Sequence, residues 1–222
     1  MPPFRPLEVP GYEGAPLPCV LHSSGVERGV AVVFPGTVRN GNRVGGTPAR
    51  PDLHYTRAVL QAEGLAVFEV WWDAGSAPEN DRTGWLDANV AAALGEASKD
   101  FELALLVGRS LGTWALARAL SNNPDQVGAL PTVWLAPLMV RPSVQAALEK
   151  LRAPAFVVGG SSDELFNQAD VDGLRGLGLE IVVLDGANHA LEVADPPTSA
   201  RMLADMLEKL RGFVTQMTPT VR

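Results

Sequence analysis

The sequence is short of cysteine, of positive charge and of long apolar runs. Cys19 is the only cysteine among 222 residues, so neither an internal disulfide nor a cysteine-cluster zinc site can form. Lysine and arginine number 18 against 25 aspartates and glutamates, and the resulting net charge of −7 disfavours nucleic acid and anionic lipid as partners. No apolar run reaches the roughly 18 residues of a membrane span, and the opening residues lack the apolar stretch of a secretory signal. We therefore expect a cytoplasmic protein that binds neither nucleic acid nor membranes.

What the sequence does contain is enough apolar material for a large core. Apolar residues make up 46% of the chain and charged residues 19%, which indicates a folded chain rather than a disordered one. The length fits a single domain over residues 1–222. The opening segment, residues 1–17, is rich in proline, and we expect it to be irregular or an edge strand.

Short apolar runs alternate with helical patterns from residue 30 onward. Most of the runs are continuously apolar, as in strands that are buried on both faces; they cover residues 30–34, 65–71, 103–107, 132–135, 155–158 and 181–184. Met202, Met206 and Leu210 recur at helical spacing and predict a last helix that Gly212 would end. The alternation predicts an α/β fold, with a mostly parallel twisted sheet and helices on both of its faces.

A G-x-S-x-G pentapeptide follows the third of these apolar runs. It spans residues 108–112, and a helical pattern begins directly after it. This spacing is typical of a tight strand-to-helix turn, in which small neighbours let a serine on a strained backbone project over the sheet. We predict that Ser110 is a nucleophile; the alternative is a glycine-flanked turn with an inert serine.

Two later strand ends provide an acid and a base in the order that such a site requires. Asp163 follows the run at 155–158, and His189 follows the run at 181–184. We predict that Asp163 accepts a hydrogen bond from His189 and so fixes its tautomer, although an aspartate here could instead cap the next helix. Asp185 is a rival acid, but we expect it to shape the turn that precedes His189.

Acyl chemistry also needs two N–H donors that point at the developing oxyanion. Leu111, the residue after the predicted nucleophile, would provide one of them. Thr37, in the turn after the first core strand, would provide the other, with Gly36 as the alternative.

Arginines and a tryptophan near the strand ends are candidates for substrate binding. Arg39 lies with Arg43 and Arg50 in a glycine-rich stretch after the first core strand, and Arg109 lies inside the pentapeptide. A guanidinium matches a carboxylate or a phosphate, so Arg39 and Arg109 could hold an anionic substrate; the alternative is a solvated loop. Trp72, after the second core strand, could line an acyl pocket or pack in the core.

Together these segments resemble the α/β-hydrolase superfamily. The resemblance rests on residues 34–37, 108–112, 159–163 and 186–189, and it covers about residues 18–213. It implies the α/β-hydrolase fold, a nucleophile elbow at Ser110, a base at His189 and an acid at Asp163. Pro35 stands where many members have histidine.

The stretch 136–151 is too short for a helical lid. The chain therefore resembles the small, lidless esterase, thioesterase and dienelactone-hydrolase-like members, although a serine nucleophile points away from dienelactone hydrolase itself.

The expected function is that of a serine hydrolase that cleaves a carboxylic ester or thioester of a small molecule. We expect no cofactor and no metal, because the sequence has no nucleotide-binding loop, EF-hand or H-E-x-x-H pattern. Two alternatives stay open: acyl transfer by the same triad to an acceptor other than water, and a non-catalytic binding or scaffold protein. A homodimer also stays open.

Overall fold

The structure, a computed structural model, describes residues 3–40, 43–45, 50–177 and 179–217, of which 38–40 and 43–45 are described as backbone alone. The strands in this part of the chain are β1 (Phe4–Pro10), β2 (Pro16–His22), β3 (Val30–Phe34), β4 (Val38–Asn40), β5 (Arg43–Gly45), β6 (Ala66–Val70), β7 (Leu103–Arg109), β8 (Thr132–Leu135), β9 (Ala155–Gly160) and β10 (Glu180–Leu184). The helices are α1 (Pro51–Ala62), α2 (Arg82–Ala97), α3 (Leu111–Asn122), α4 (Pro124–Val127), α5 (Pro142–Lys150), α6 (Gln168–Gly176) and α7 (Pro196–Met217).

Eight of the strands form one sheet in the order β1-β2-β6-β3-β7-β8-β9-β10. From β6 to β10 every neighbouring pair is parallel, whereas β2 runs antiparallel to both β1 and β6. The short strands β4 and β5 form a separate antiparallel hairpin. The predicted mostly parallel sheet is therefore confirmed, and the carboxyl ends of its parallel strands meet along one edge.

The apolar runs are continuous because helices cover both faces of the sheet. All five residues of β3 are buried. Val32 and Phe34 belong to a core cluster that they share with α2, α3, α5 and α6, whereas Ala31 and Val33 belong to a second cluster with α1 and α7. Since successive side chains of a strand point to opposite faces, a strand between two such layers has no polar side.

The structure differs from or decides between the sequence expectations near each end of the chain. The opening segment contains β1, so the edge strand is found rather than an irregular segment, and Pro6 and Pro10 lie on this outermost strand. The sequence predicted that the last helix ends at Gly212. The helix instead continues to Met217. Gly212 has no positive φ, so the helix passes through this residue without the left-handed turn that ends many helices.

The connection between β8 and β9 holds a single short helix, α5, and this matches the expected absence of a helical lid among the described residues. Within the described ranges, no helix combines the length and the apolar character that crossing a bilayer would require.

Candidate active site

The carboxyl ends of β7, β9 and β10 bring three of the predicted residues together. Ser110 directly follows β7, while Asp163 and His189 lie in the loops after β9 and β10. The Oγ of Ser110 lies 2.8 Å from Nε2 of His189, and Nδ1 of His189 lies 2.8 Å from Oδ2 of Asp163. Three side chains that are far apart in the sequence therefore form one hydrogen-bonded chain.

Ser110 has a backbone conformation that only a rigid turn can hold. Its φ is 52° and its ψ is −114°, a combination that is costly for any residue other than glycine. Its N–H donates to the Leu135 carbonyl at 2.9 Å, and its own carbonyl accepts from the N–H of Thr113 at 2.9 Å and from the Thr113 hydroxyl at 2.6 Å. These bonds to β8 and to the first turn of α3 fix the direction in which the Ser110 hydroxyl points.

The two glycines of the pentapeptide allow the backbone to approach itself at this turn. A Cβ atom at Gly112 would lie 1.8 Å from the Phe34 carbonyl oxygen, and one at Gly108 would lie 2.5 Å from the Gly112 carbonyl oxygen. Neither position can hold a side chain without moving β3 or α3. The spacing of the motif is therefore set by backbone contact on both sides of Ser110.

Asp163 is buried, and both of its carboxylate oxygens have hydrogen-bond partners, whereas His189 is open to solvent on one side. The Asp163 side chain is 1% exposed, and its Oδ1 accepts from the Leu165 N–H at 2.9 Å while Oδ2 faces His189. With its proton on Nδ1, His189 donates to this carboxylate, and its Nε2 is left as an acceptor for the Ser110 hydroxyl. The His189 side chain is 30% exposed, so a substrate can reach it.

The rival acid, Asp185, is bound elsewhere. Its Oδ1 accepts from the hydroxyl of Ser161 at 3.2 Å, and the same hydroxyl accepts from the Gly186 N–H at 2.7 Å. Asp185 therefore belongs to the turn that joins β10 to the His189 loop, which is the role that we expected for it.

The turn after β3 lies against the serine. A Cβ atom at Gly36 would lie 2.9 Å from Cβ of Ser110, so this turn and the start of α3 flank the same hydroxyl group. Leu111 is the first residue of α3, where helix geometry provides no acceptor for the N–H. Leu111 and Thr37 remain the predicted oxyanion donors, with Gly36 as the alternative to Thr37.

Arg109 is not available to a substrate, which corrects the predicted contact. It is 3% exposed; its Nε donates to Oδ2 of Asp52 at 3.1 Å, and a terminal nitrogen donates to the His189 carbonyl at 3.1 Å. Burial lowers the pKa of Arg109, and the nearby Asp52 carboxylate opposes that change. The guanidinium therefore holds the backbone of His189 instead of binding an anion.

Asp52, at the start of α1, connects a second arginine to the same loop. The Nε of Arg50 lies 3.4 Å from Oδ1 of Asp52, and a terminal nitrogen of Arg50 donates to the Ala190 carbonyl at 3.0 Å. Two guanidinium groups that share one buried carboxylate thus hold the carbonyls of two consecutive residues, His189 and Ala190. Sequence analysis did not find Asp52, because its only local signal is a place in the first turn of a helix.

Of the remaining substrate candidates, Arg39 stays a prediction, whereas Trp72 lies in the core. The side chains of Arg39 and Arg43 lie outside the described residues. Trp72 is 2% exposed, is stacked on Phe34 with ring centroids 6.0 Å apart, and lies 5.7 Å from the Trp85 ring. It is a core residue, and this corrects its predicted contact with substrate in favour of the packing alternative.

The chain has the α/β-hydrolase fold, with no helical lid in the described ranges, as the sequence resemblance implied. No protein-family model and no curated protein matches its sequence. Its structure is similar to that of an α/β serine hydrolase without a lid from Xanthomonas campestris, with a TM-score of 0.70 at 19% identity over 99% of this chain and 97% of the other. An α/β serine hydrolase homologue from Coxiella burnetii gives 0.67 at 18% over 97% of both chains, and the esterase domain of a Rhodothermus marinus protein gives 0.67 at 14% over 96% and 99%.

Proposed function

We propose that this protein is a serine hydrolase that cleaves a carboxylic ester or thioester of a small substrate through an acyl-enzyme at Ser110. The observation that supports this most directly is the pair of 2.8 Å contacts that link Ser110, His189 and Asp163. A serine hydroxyl is a weak nucleophile unless a neighbouring base takes its proton, and His189 is placed to do so. The names of the similar structures, a serine hydrolase and an esterase, agree with this chemistry.

The reaction begins with attack by Oγ of Ser110 on the acyl carbonyl carbon, while Nε2 of His189 takes the hydroxyl proton. Asp163 stabilises the imidazolium that forms. The tetrahedral intermediate collapses as the bond to the leaving group breaks, and His189 gives its proton to that group. Water then attacks the acyl-Ser110 ester with His189 again as the base, which releases the acid and restores the serine.

The negative charge on the carbonyl oxygen is held by backbone N–H groups on either side of the serine. Leu111 gives one donor, and Thr37, or its neighbour Gly36, gives the other. Each such donor contributes about 2.7 to 4 kcal/mol to lowering the barrier. Because both are backbone groups in turns that pack against Ser110, they are oriented before the substrate arrives.

A fluorophosphonate probe and a series of p-nitrophenyl esters of increasing acyl length test the assignment of Ser110. We expect the wild-type protein to be labelled and to hydrolyse short-chain esters best, since the described β8–β9 connection contains no helical lid. Ser110→Ala should lose the label and lower kcat by about 10⁴-fold or more. Ser121→Ala, at an exposed serine near the end of the same helix, is the matched control and should keep both activities. Equal labelling of wild-type protein and Ser110→Ala would refute the nucleophile.

The acyl acceptor is tested separately from the nucleophile. With added short alcohols, a hydrolase releases mainly the free acid, whereas a transferase forms the new ester at the expense of the acid. Product analysis of the same p-nitrophenyl ester reactions distinguishes the two. If neither a label nor a product is found, the non-catalytic binding protein becomes the favoured alternative.

A further inference from the structure

Two arginines lack a hydrogen-bond or ion-pair acceptor in the part of the chain that the structure describes. Of the twelve arginines whose side chains the structure describes, ten form a hydrogen bond or ion pair with an oxygen atom; the exceptions within the described residues are Arg82 and Arg141. A guanidinium group keeps its charge and carries five donors, so each of these two side chains can bind an anion.

Arg141 is held over the helix that begins at the proposed nucleophile. Its guanidinium lies 3.8 Å from the centroid of the Trp114 ring. Trp114 follows Ser110 by four residues, which is about 6 Å along a helix. The segment that carries Arg141 is anchored to the same turn, because the Leu138 N–H donates to the Thr113 hydroxyl at 3.1 Å and this hydroxyl bonds to the Ser110 carbonyl.

Arg82 adds a second positive charge beside Arg141. It is the first residue of α2, which packs against α3. Burial lowers the pKa of Arg141, and the charge of Arg82 lowers it further. Two positive charges that interact in this way, neither of them in an ion pair with a carboxylate, form a region where a negatively charged group would be stabilised.

The acidic residues of α2 and its N-cap are Asp81, Asp87 and Glu96, and none of them forms an ion pair with Arg82 or Arg141; Glu96 pairs with Lys99. Asp81 accepts from the Tyr12 hydroxyl at 2.9 Å and from the Gly84 N–H at 3.0 Å. Asp87 accepts two hydrogen bonds of 2.6 Å from the fork of Arg118. Asp87 is neutralised by Arg118, whereas Asp81 keeps its charge because both of its donors are neutral. Asp81 therefore reduces the positive potential near Arg82, but it does not occupy the donors of either guanidinium group.

We propose that Arg82 and Arg141 form a subsite for a carboxylate or phosphate group of the substrate, at a distance from the bond that is cleaved. The proposal rests on the proposed function and narrows it to anionic esters or thioesters. Stacking on Trp114 orients the guanidinium plane of Arg141, and a planar fork is suited to two parallel hydrogen bonds from a carboxylate or phosphate. The class of ligand is the one that the sequence suggested for Arg39 and Arg109.

Paired substrates that differ only in charge test the subsite. The first pair is mono-4-nitrophenyl adipate and its neutral methyl ester, with the charge on the acyl part; the second is the hexanoate ester of 4-hydroxybenzoate and that of methyl 4-hydroxybenzoate, with the charge on the leaving group. We expect the wild-type protein to prefer the anionic member of at least one pair by roughly tenfold in kcat/KM. Arg141→Gln and Arg82→Gln should bring this ratio close to one, and sodium chloride should reduce it.

Arg175→Gln, on the exposed face of α6, is the control and should keep the wild-type ratio. Competitive inhibition by acetate and by inorganic phosphate then shows which oxyanion the subsite binds better. Ratios near one for both pairs in the wild-type protein, or ratios that Arg141→Gln does not change, would overturn the subsite.

A binding measurement separates this outcome from failure of the proposed function. Titration calorimetry of adipate into Ser110→Ala protein needs no turnover, and we expect binding that the additional change Arg141→Gln weakens by roughly tenfold. If adipate binds in this way but no ester is cleaved and no probe is attached, the hydrolase proposal fails while the subsite stands. If esters are cleaved but adipate binds equally to both proteins, the subsite is rejected.

Discussion

His189 is held by its backbone as well as by its ring. Asp163 fixes the ring, while Arg109 and Arg50 donate to the carbonyls of His189 and Ala190 and share the Asp52 carboxylate. A general base must stay within hydrogen-bond reach of the proton that it takes. Arg109 and Asp52 are therefore positioning residues, which act on the proposed reaction through the loop that carries the imidazole.

We expect Arg109→Gln to lower kcat for ester hydrolysis by roughly ten- to hundredfold with a smaller change in KM, because the His189 loop loses an anchor and small misplacements of a base are costly. Arg109→Lys should recover part of kcat, since it keeps the charge but loses the fork. The measurement is steady-state kinetics normalised to the fraction of protein that a fluorophosphonate labels.

Asp52→Asn provides a second route to the same loop without removing the arginine. It should also lower kcat, with a smaller change in KM. Thermal unfolding followed by circular dichroism shows whether the variants are folded. If the normalised kcat of folded Arg109→Gln equals that of wild type, the contact with His189 has no role in catalysis.

For single residues, the sequence predicts a role well where the position at a strand end marks it, and poorly where the role depends on an unmarked partner. The meeting of Ser110, Asp163 and His189 could be predicted, because each follows a strand and parallel strands end at one edge. The partner of Arg109 could not, because Asp52 lies 57 positions away and no local pattern connects them. The proposed subsite of Arg82 and Arg141 could not be predicted either, since each looks like an ordinary surface arginine in the sequence.

Among the secondary-structure elements, two helices contain glycines with opposite requirements. Gly112 lies in the first turn of α3, where a Cβ atom would lie 1.8 Å from the Phe34 carbonyl oxygen. Gly212 lies in the exposed part of α7, where a Cβ atom would meet nothing within 4 Å. The same substitution should therefore have opposite effects on stability at the two positions.

We expect Gly212→Ala to raise the free energy of unfolding by about 0.5 to 1 kcal/mol, because alanine loses less conformational entropy in a helix interior. Gly112→Ala should instead lower it by several kcal/mol or prevent folding, since α3 must move away from β3. Urea unfolding of both variants measures the difference. Gly173→Ala in α6, with no atom within 4 Å of its added Cβ, is a control that should resemble Gly212→Ala.

The continuation of α7 through Gly212 shows that a local stop signal does not include the tertiary contacts of the residues that follow it. Phe213 and Val214, directly after the glycine, are buried against the sheet. Burial of two large apolar side chains contributes several kcal/mol, which is more than the roughly 1 kcal/mol by which glycine disfavours a helix. The predicted stop was wrong because the tertiary contacts of the next turn outweigh the local preference.

For the molecule as a whole, the single cysteine reports on unfolding. Cys19 is 2% exposed in the core cluster that β2 shares with α2, and burial raises the pKa of its thiol to about 12. Both effects keep the reactive thiolate scarce and covered. Reaction at this position therefore requires that the β1–β2 edge or the whole sheet opens.

We expect Ellman's reagent to leave the native protein unmodified at pH 8 over minutes and to modify one thiol per chain at once in 6 M guanidinium chloride. The rate in intermediate guanidinium, followed beside circular dichroism, shows whether exposure of Cys19 coincides with loss of the whole sheet. Rapid stoichiometric reaction of the native protein would contradict the buried position.

The prolines of β1 bear on how molecules of this protein meet one another. Pro6 and Pro10 are an even number of positions apart along the strand, so their nitrogens share one side of the backbone. On an outermost strand, prolines occupy the side that faces away from the sheet. A nitrogen without hydrogen offers nothing to the carbonyl of an incoming chain. Sheet growth is therefore discouraged at this rim, and fibril formation by edge-to-edge stacking would have to begin elsewhere on the molecule.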